Sequence, residues 1–157
     1  MPQPTPAQIG AQIAALPVRW DDKGALYVLM VTSRGTGRWV MPKGWTMNGK
    51  TPWQAAEIEA LEEAGAVGHV GTDPIGRYCY DKILPDGTAL PCEVEVFPML
   101  VRTLKRDWKE RRARKRRWFT ARQAAKRVDE ADLACLLRTQ ADRPRRHPDL
   151  RALRKAS

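Results

Sequence analysis

Three glutamates stand close together in a short acidic stretch of the sequence. Glu59, Glu62 and Glu63 are spaced i, i+3 and i+4, which places them on one face if the segment is helical. Glu57 adds a fourth acid, and the segment 51–65 contains no Lys or Arg. Mg²⁺ takes oxygen ligands of this kind together with water and substrate phosphates. These glutamates are therefore candidate metal ligands, although an acidic face exposed to solvent is the commoner explanation for the spacing alone.

The segment that carries these glutamates has the start and stop signals of a helix. Thr51 is a typical N-cap residue, Pro52 is favoured at the first helical position, and Gln54 completes a capping box. Gly65 supplies a C-terminal stop. We therefore predict a helix over residues 52–64. Its glutamates lie toward the C-terminal end, where the helix dipole disfavours negative charge.

The remaining apolar patterns predict a sheet with helices on both sides. A nearly continuous apolar run over 25–32 is typical of a strand covered on both faces, and Pro17 places the first strand at an edge or a bulge. The predicted strands are 12–19, 25–32, 38–41, 75–84, 89–103 and 116–119, and the later helices are 121–127 and 130–139. This order predicts an α/β fold with a mixed sheet and three α/β/α layers.

The length of 157 residues suits one domain with a hydrophobic core. We expect a flexible N-terminus over 1–11, a folded domain over 12–140, and a basic tail over 141–157 that forms a peripheral helix. No apolar run approaches the length of a membrane span, and the N-terminus lacks the pattern of a secretory signal. We therefore expect a cytoplasmic protein with no membrane partner. The three cysteines have no CxxC spacing and support neither a disulfide framework nor a zinc site.

The net charge of +10 is concentrated in one stretch of the chain. Residues 102–127 hold thirteen of the 28 Lys and Arg residues and only two acids, Asp107 and Glu110. The part from 104 to 114 is too charged for a core element, so we predict a loop there. Such a patch attracts polyanions, whether nucleic acid, an anionic membrane or a polyphosphate metabolite, and composition alone does not choose among them.

The stretch from Gly44 to Ala66 resembles the Nudix box. That box has a glycine, five residues, a glutamate and seven residues, followed by Arg-Glu-aliphatic-x-Glu-Glu-x-Gly-aliphatic. The positions that match at this spacing are Gly44, Glu59, Glu62, Glu63 and Gly65. The resemblance covers about residues 12–140 and implies a Nudix-type α/β/α sandwich with a mixed β-sheet. It also implies that the three box glutamates bind Mg²⁺, for which Mn²⁺ can substitute.

Two box positions depart from the family pattern. The first box glutamate is Lys50 here, and the box arginine is Ile58. In the family, that arginine helps to orient the glutamate that corresponds to Glu59, and the first glutamate belongs to the same network. Both are replaced here, so neither remains as an unpaired charge. The change is compatible with a different contact from Lys50 or with lost activity. The presence of all three metal-binding glutamates of the box favours an active enzyme.

Within the family, the chain is most similar to the diphosphoinositol-polyphosphate and diadenosine-polyphosphate phosphohydrolases. The similarity lies in the segments 33–34, 38–42, 55–56, 62–68 and 114–119. It implies Mg²⁺-dependent hydrolysis of a phosphoanhydride bond in a small polyanionic substrate. That substrate is nucleoside-diphosphate-linked or an inositol pyrophosphate, either a dinucleoside polyphosphate or a diphosphoinositol polyphosphate.

The same resemblance implies which residues contact this substrate. In that branch the counterparts of Ser33, Arg34 and Lys115 lie near substrate phosphates. The carbonyl of Lys43 is a candidate metal ligand by family analogy. The further candidates for substrate binding are Arg19, Arg38, Arg116 and the side chain of Lys43.

The general base stays open at this stage. Glu59 is one candidate, and a loop carboxylate is equally possible in this family. Glu110 is the only glutamate of the segment 104–117. Glu93 and Glu95 alternate on one strand, which is more typical of solvent-facing residues.

The basic segment 105–117 has three explanations. We favour a funnel for a small polyphosphate over a basic face that merely contacts solvent. A nucleic-acid contact, with Trp108 and Trp118 stacking on bases, is less favoured. The alternative functions are accordingly an RNA 5′ pyrophosphohydrolase and a catalytically weakened Nudix-fold module that binds polyanions. We expect a monomer or a weak dimer.

Overall fold

The computed structural model describes residues 9–142 of the chain. This part contains eight strands and three helices: β1 (Gly10–Trp20), β2 (Leu26–Thr32), β3 (Trp39–Val40), β4 (Lys43–Trp45), α1 (Pro52–Ala64), β5 (Ala66–Val70), β6 (Gly76–Ile83), β7 (Ala89–Leu104), β8 (Arg116–Thr120), α2 (Ala121–Arg127) and α3 (Ala131–Asp142). No helix in the described range has the length and apolar content needed to cross a bilayer. Most of the predicted tail, from residue 143 onward, lies outside the described residues, as does most of the predicted flexible N-terminus.

The strands form one mixed sheet, as predicted. Its main order is β3-β2-β1-β7-β5, while β4 pairs with β1, β6 pairs with β7 and β8 pairs with β2. The two long strands β1 and β7 run parallel over the register from Gly10↔Cys92 to Val18↔Leu100. Every other pair is antiparallel. The parallel pair forms the centre of the sheet.

Each face of the sheet has its own hydrophobic core, because alternate side chains of a strand point to opposite faces. Ile13 and Ala15 of β1 pack on the face covered by α1. Ala14, Leu16 and Val18 pack on the face covered by α2 and α3. The predicted three-layer α/β/α arrangement is therefore confirmed.

Helix α1 has the bounds predicted from its capping residues. The Thr51 side chain accepts a hydrogen bond from the Gln54 backbone, and the Gln54 side chain accepts one from the Thr51 backbone. Gly65 adopts the left-handed conformation with φ 63°, which ends the helix. The face that packs on the sheet consists of small side chains, Ala55, Ala56, Ala60 and Ala64, all nearly fully buried. Small residues there let the backbone of α1 lie close to the sheet.

The structure corrects the expected position of Pro17. Strand β1 lies in the middle of the sheet, and Pro17 pairs with Met99 of β7. The proline is tolerated because it falls where β1 changes its other partner, between the Ala14↔Lys43 pair and the Val18↔Val28 pair. A missing N–H therefore interrupts no ladder on that side.

Two strands escape the sequence analysis. Strand β4 has only three residues and follows β3 after a two-residue break. Strand β5 contains Gly68, and its register with β7 shifts between Val67 and Gly68. A short or interrupted alternation carries too little periodicity to be recognised from sequence.

Loss of the N-cap provides a test of how α1 is held. We expect Thr51→Ala to lower the free energy of unfolding by about 1 kcal/mol, because a backbone N–H at the helix start loses its acceptor. Urea unfolding measures the change. Thr51→Ser keeps the hydroxyl and serves as the control, and an equal loss in both variants would contradict the capping role.

Candidate active site

Strand β4, which precedes α1, lies directly against the helix face that carries the box glutamates. Gly44 pairs with Ile13 in β1, so it faces the side of the sheet covered by α1. A Cβ atom added to Gly44 would overlap the carboxylate of Glu59. The neighbouring Lys43 N–H points to Oε1 of Glu63 at 3.4 Å. Only glycine at position 44 leaves room for these carboxylates beside the sheet.

Glu59 and Glu63 form a buried carboxyl pair. Their exposed fractions are 9% and 5%, and their side chains hydrogen-bond to each other. Burial raises the pKa of Glu63 to about 8, and the nearby Arg114 guanidinium opposes that rise. Burial also raises the pKa of Glu59. Two buried carboxylates in contact repel each other, so without a cation the pair keeps a proton at neutral pH.

Glu62 does not complete a three-carboxylate cluster with this pair. Its carboxylate faces Lys109 of the basic loop, with Nζ 3.5 Å from Oε1. Within residues 9–142, no three Asp, Glu, His or Cys side chains are arranged as a ready set of metal ligands. The helix brings Glu59 and Glu63 together, while Glu62 lies on the solvent side of them.

Glu110 joins the same region from the loop between β7 and β8. Its backbone N–H donates to the Glu62 carbonyl at 3.0 Å. Its Oε1 accepts a hydrogen bond from Arg114 Nε at 3.1 Å and lies 3.6 Å from Nε of Arg34. The negative charge of Glu110 also raises the pKa of Glu59, after burial and the charge of Glu62. Glu110 therefore lies within electrostatic range of the carboxyl pair.

Arg114 is a site residue that the sequence analysis missed. Its guanidinium donates to Glu110 and to the Thr32 carbonyl at 3.0 Å, and it lies 3.6 Å from Oε2 of Glu63. The side chain is only 11% exposed, which strengthens its interaction with both acids. It stands among thirteen Lys and Arg residues in 102–127, and nothing in the sequence distinguishes it from the others.

The basic loop is held in place by the C-terminal end of α1. The last carbonyls of a helix lack partners within the helix and must find donors elsewhere. Four consecutive carbonyls of this end accept hydrogen bonds from loop or β8 residues: those of Glu62, Glu63, Ala64 and Gly65 from Glu110 N, Trp108 Nε1, Arg116 Nη1 and Lys105 N. The cations of the loop are thereby fixed beside the glutamates of the helix.

A cavity of about 590 Å³ opens in this loop. Its lining includes four cations and two acids: Arg34, Lys109, Arg111, Arg112, Asp107 and Glu110. Guanidinium groups present forked donors that match the oxygens of phosphate. The cavity therefore suits a phosphate-bearing ligand next to the carboxylates.

Three predicted phosphate-binding residues lie on the turn and loop beside Glu110. Ser33 shapes the turn by accepting a hydrogen bond from the Arg38 N–H at 3.0 Å. Arg34 is exposed and lines the cavity. Lys115 is exposed, and its N–H donates to Thr32 Oγ1 at 2.9 Å.

Two other predicted phosphate-binding cations, Arg19 and Arg38, have partners within the protein. Arg19 stacks over Trp118 at 4.4 Å and pairs across from Tyr27, at the end of β2 remote from Thr32. Arg38 forms ion pairs of 3.0 and 3.1 Å with Asp129 and Glu130, at the junction of α2 and α3. Substrate binding by Arg19 and Arg38 stays a prediction.

Substrate binding by the side chains of Arg116 and Lys43 stays a prediction as well. Arg116 donates to the Ala64 carbonyl at 2.9 Å and stacks 3.9 Å from the centre of the Trp108 ring. The side chain of Lys43 lies over the Tyr80 ring at 5.0 Å, and burial lowers its pKa. The metal-binding role of the Lys43 carbonyl stays a prediction.

The two candidate bases on β7 form ion pairs with an arginine of the neighbouring strand. Glu93 and Glu95 both pair with Arg77 of β6, at 3.3 and 2.8 Å.

Of the two departures from the box, Lys50 is exposed and Ile58 is partly buried. Lys50 forms no ion pair with the carboxyl pair within the described residues.

The residues present fit a divalent cation. Glu59 and Glu63 are buried side by side with raised pKa values, and a cation would remove the repulsion between them. The absence of a side chain at Gly44 lets the Glu59 carboxylate lie against β4. Glu62 and Glu110 lie at the rim as additional oxygen donors.

The fold and the site together define a class of protein. It is a three-layer α/β/α protein whose capped acidic helix packs against a short glycine-containing strand, β4, of a mixed sheet. The family model of the NUDIX domain matches residues 10–139. The chain therefore belongs to the Nudix family.

Curated relatives of the chain are plant Nudix hydrolases. Nudix hydrolase 12, mitochondrial, from Arabidopsis thaliana is 35% identical over 107 residues, which cover 66% of this chain and 53% of the relative. Nudix hydrolase 13, mitochondrial, from the same plant is 32% identical over 113 residues, covering 66% and 54%. The chain thus spans about half the length of the curated relatives that it matches.

Solved structures share the fold at low sequence identity. An Ap4A hydrolase from C. elegans superposes with a TM-score of 0.59 at 20% identity, covering 86% of this chain and 98% of that protein. A NUDIX hydrolase from Nitrosomonas europaea superposes with a TM-score of 0.56 at 18% identity, covering 94% and 87%. These likenesses establish the architecture.

The buried carboxyl pair predicts a pH dependence of stability in the absence of divalent cations. The folded pKa of Glu63, about 8, lies above the ordinary value of 4.5. The contribution of Glu63 to the free energy of unfolding is therefore fully present below its ordinary pKa. It is lost as the pH rises toward the pKa of Glu63 in the folded protein. We expect Glu63→Gln to gain stability relative to the parent between pH 5 and pH 8, as measured by urea unfolding with chelator.

The matched control for this experiment is Glu57→Gln, which removes an exposed carboxylate from the same helix. Its stability relative to the parent should change little over the same pH range. A Glu63→Gln variant that is equally destabilised at both pH values would contradict the shared-proton arrangement.

Proposed function

We propose that this protein hydrolyses a phosphoanhydride bond in a small polyphosphorylated substrate. The observation that carries the proposal is the buried Glu59–Glu63 pair near a loop cavity whose lining includes four cations and two acids. Hydrolysis of such a bond requires neutralisation of several phosphate oxygens and an oriented water. The acidic helix and the basic loop offer both kinds of group within one region.

The cofactor in this proposal is Mg²⁺, for which Mn²⁺ can substitute. Glu59, Glu62 and Glu63 would hold it, with Glu62 released from Lys109 to take part. When bound, the ion supplies charge neutralisation and acidifies a coordinated water. The carbonyl of Lys43 is an additional candidate ligand by analogy with the family.

The chain's own cations would bind and orient the phosphates. Arg34 and Lys109 are exposed at the cavity and are held only by weak ion pairs of 3.6 and 3.5 Å. Pairs of this kind contribute little stability, so a phosphate can replace the carboxylate partner. Ser33 and Lys115 contribute from the neighbouring turn.

Glu110 is the candidate general base. Arg34 and Arg114 both interact with its Oε1, which leaves Oε2 as the candidate proton acceptor. A carboxylate that is fixed by an arginine and lies beside the metal ligands can take a proton from the attacking water. Glu59 stays the alternative, because it lies closer to the expected metal position.

The substrate class that we favour is the dinucleoside polyphosphates, with diphosphoinositol polyphosphates as the second choice. The fold likeness to the C. elegans Ap4A hydrolase supports the first choice, and the resemblance in 33–34, 38–42 and 114–119 supports both. An RNA 5′ pyrophosphohydrolase and a weakened polyanion-binding module are the competing functions. The RNA pyrophosphohydrolase would form product only from triphosphorylated RNA, and the binding module would form no product from any substrate.

A carboxylate variant tests the proposal directly. We expect Glu62→Gln to reduce turnover of diadenosine tetraphosphate with Mg²⁺ by roughly 100-fold or more, because preorganised electrostatic contacts contribute that much to catalysis. Glu57→Gln, on the exposed side of the same helix, should keep nearly full activity. Product formation followed by chromatography measures both rates.

The substrates are compared in the same assay. Turnover of diadenosine tetraphosphate or of an inositol pyrophosphate supports the proposal. Turnover of triphosphorylated RNA alone would favour the RNA pyrophosphohydrolase. Equal rates for Glu62→Gln and the parent would rule out the proposed metal site.

A further inference from the structure

Seven exposed cations between residues 105 and 127 have no acidic partner among the described residues. They are Lys105, Arg106, Arg112, Lys115, Arg117, Lys126 and Arg127, which we call the cationic edge. Within residues 9–142, none of the seven forms an ion pair with an acid. By contrast, Lys109, Arg111 and Arg114 of the same region each have a carboxylate partner. The charge of the edge is therefore available to a ligand.

The residues of the cationic edge come from consecutive elements of the chain. The basic loop crosses the C-terminal end of α1 and leads into β8, which pairs only with β2 and forms an edge of the sheet. Helix α2 begins at Ala121, immediately after β8 ends at Thr120. The five residues of β8 and the seven of α2 extend over about 16 and 10 Å. A ligand that contacts the whole edge must be far longer than a small polyphosphate.

A cleft between α2 and α3 adds a cationic pocket at the far end of the edge. It measures about 310 Å³ and is lined by Arg122, Ala125, Lys126 and Arg138. Three of these four residues are cations, and the lining includes no acid. This cleft lies on the face of the sheet opposite α1, so it is separate from the carboxylate site.

The aromatic side chains near the edge are covered by arginines. Arg116 stacks on Trp108 at 3.9 Å, while Arg117 and Arg127 lie 5.4 and 5.7 Å from the centre of Phe119. Base stacking needs an open aromatic face. The edge therefore offers contacts to phosphates without a platform for bases, which corrects the stacking role considered for Trp108.

A membrane is a poorer match for the cationic edge. Peripheral binding to a bilayer combines cations with exposed apolar side chains. The large apolar residues that are exposed in residues 9–142 are Ile9, Trp45, Leu61, Val67 and Ile83, and none belongs to β8, α2 or α3. The edge has charge but no apolar anchor.

We propose that the cationic edge binds a nucleic-acid strand through its phosphates, without reading the base sequence. A regular array of phosphates matches a line of unpaired Lys and Arg residues, and the release of counterions drives such binding. The proposal goes beyond the hydrolytic function and does not depend on it. Arg112 and Lys115 also belong to the substrate region, and the variants used in the test leave both unchanged.

The test measures binding of a labelled 20-nucleotide RNA with a 5′ hydroxyl, by fluorescence anisotropy over a series of salt concentrations. The variant Arg106→Gln/Arg117→Gln/Lys126→Gln removes three charges along the edge. We expect its plot of log affinity against log salt to be less steep by about 2, since each lost contact to a single strand changes the slope by about 0.7. Its affinity at low salt should fall at least tenfold.

The control Lys23→Gln/Lys50→Gln/Arg77→Gln removes the same charge from exposed positions outside the edge. It should keep a slope within about 0.7 of that of the parent. Equal effects of the two triple variants would overturn the proposal, as would binding to phosphatidylserine vesicles but not to RNA. Lys126→Gln alone repeats the test if the triple variant unfolds, with an expected change in slope of about 0.7.

Discussion

The C-terminal end of α1 is the constraint on which the site depends. A helix leaves its last carbonyls without partners, and here four of them receive donors from the segment 105–116. Those donors fix the loop against the helix. Since the same helix turn carries Glu62 and Glu63 and the loop carries Lys109 and Arg114, the hydrogen bonds that complete the helix also bring acids and cations together.

This arrangement also explains how two carboxyl groups can be buried in contact. Burying a charge without a partner is costly, and a shared proton avoids part of that cost. Arg114 offsets another part, because its guanidinium reaches both Glu63 and Glu110. The pair remains a strained element of the fold, as its raised pKa values show. A site that binds a cation must keep such unfavourable charge available.

Local signals in the sequence predicted the fold better than the site. The capping box and Gly65 fixed both ends of α1, and continuous apolar runs identified the central strands, because these features depend on neighbouring residues. The positions of Arg19 and Arg38 depend on distant partners, Trp118 in one case and Glu130 in the other. Periodicity contains no information on such pairings. Nor could it single out Arg114 from the other cations of its loop.

One of the two departures from the Nudix box, Ile58 in place of the box arginine, can be set against the position of Arg114. The box arginine would stand on α1 itself, next to the glutamates, but position 58 is an isoleucine. The buried guanidinium comes instead from the loop, and it contacts Glu63 and Glu110. A charge that is supplied by a loop is present only while the loop is docked. The electrostatic balance of the carboxyl pair therefore depends on the hydrogen bonds at the end of α1. In the family pattern, by contrast, an arginine of the helix itself supplies a cation.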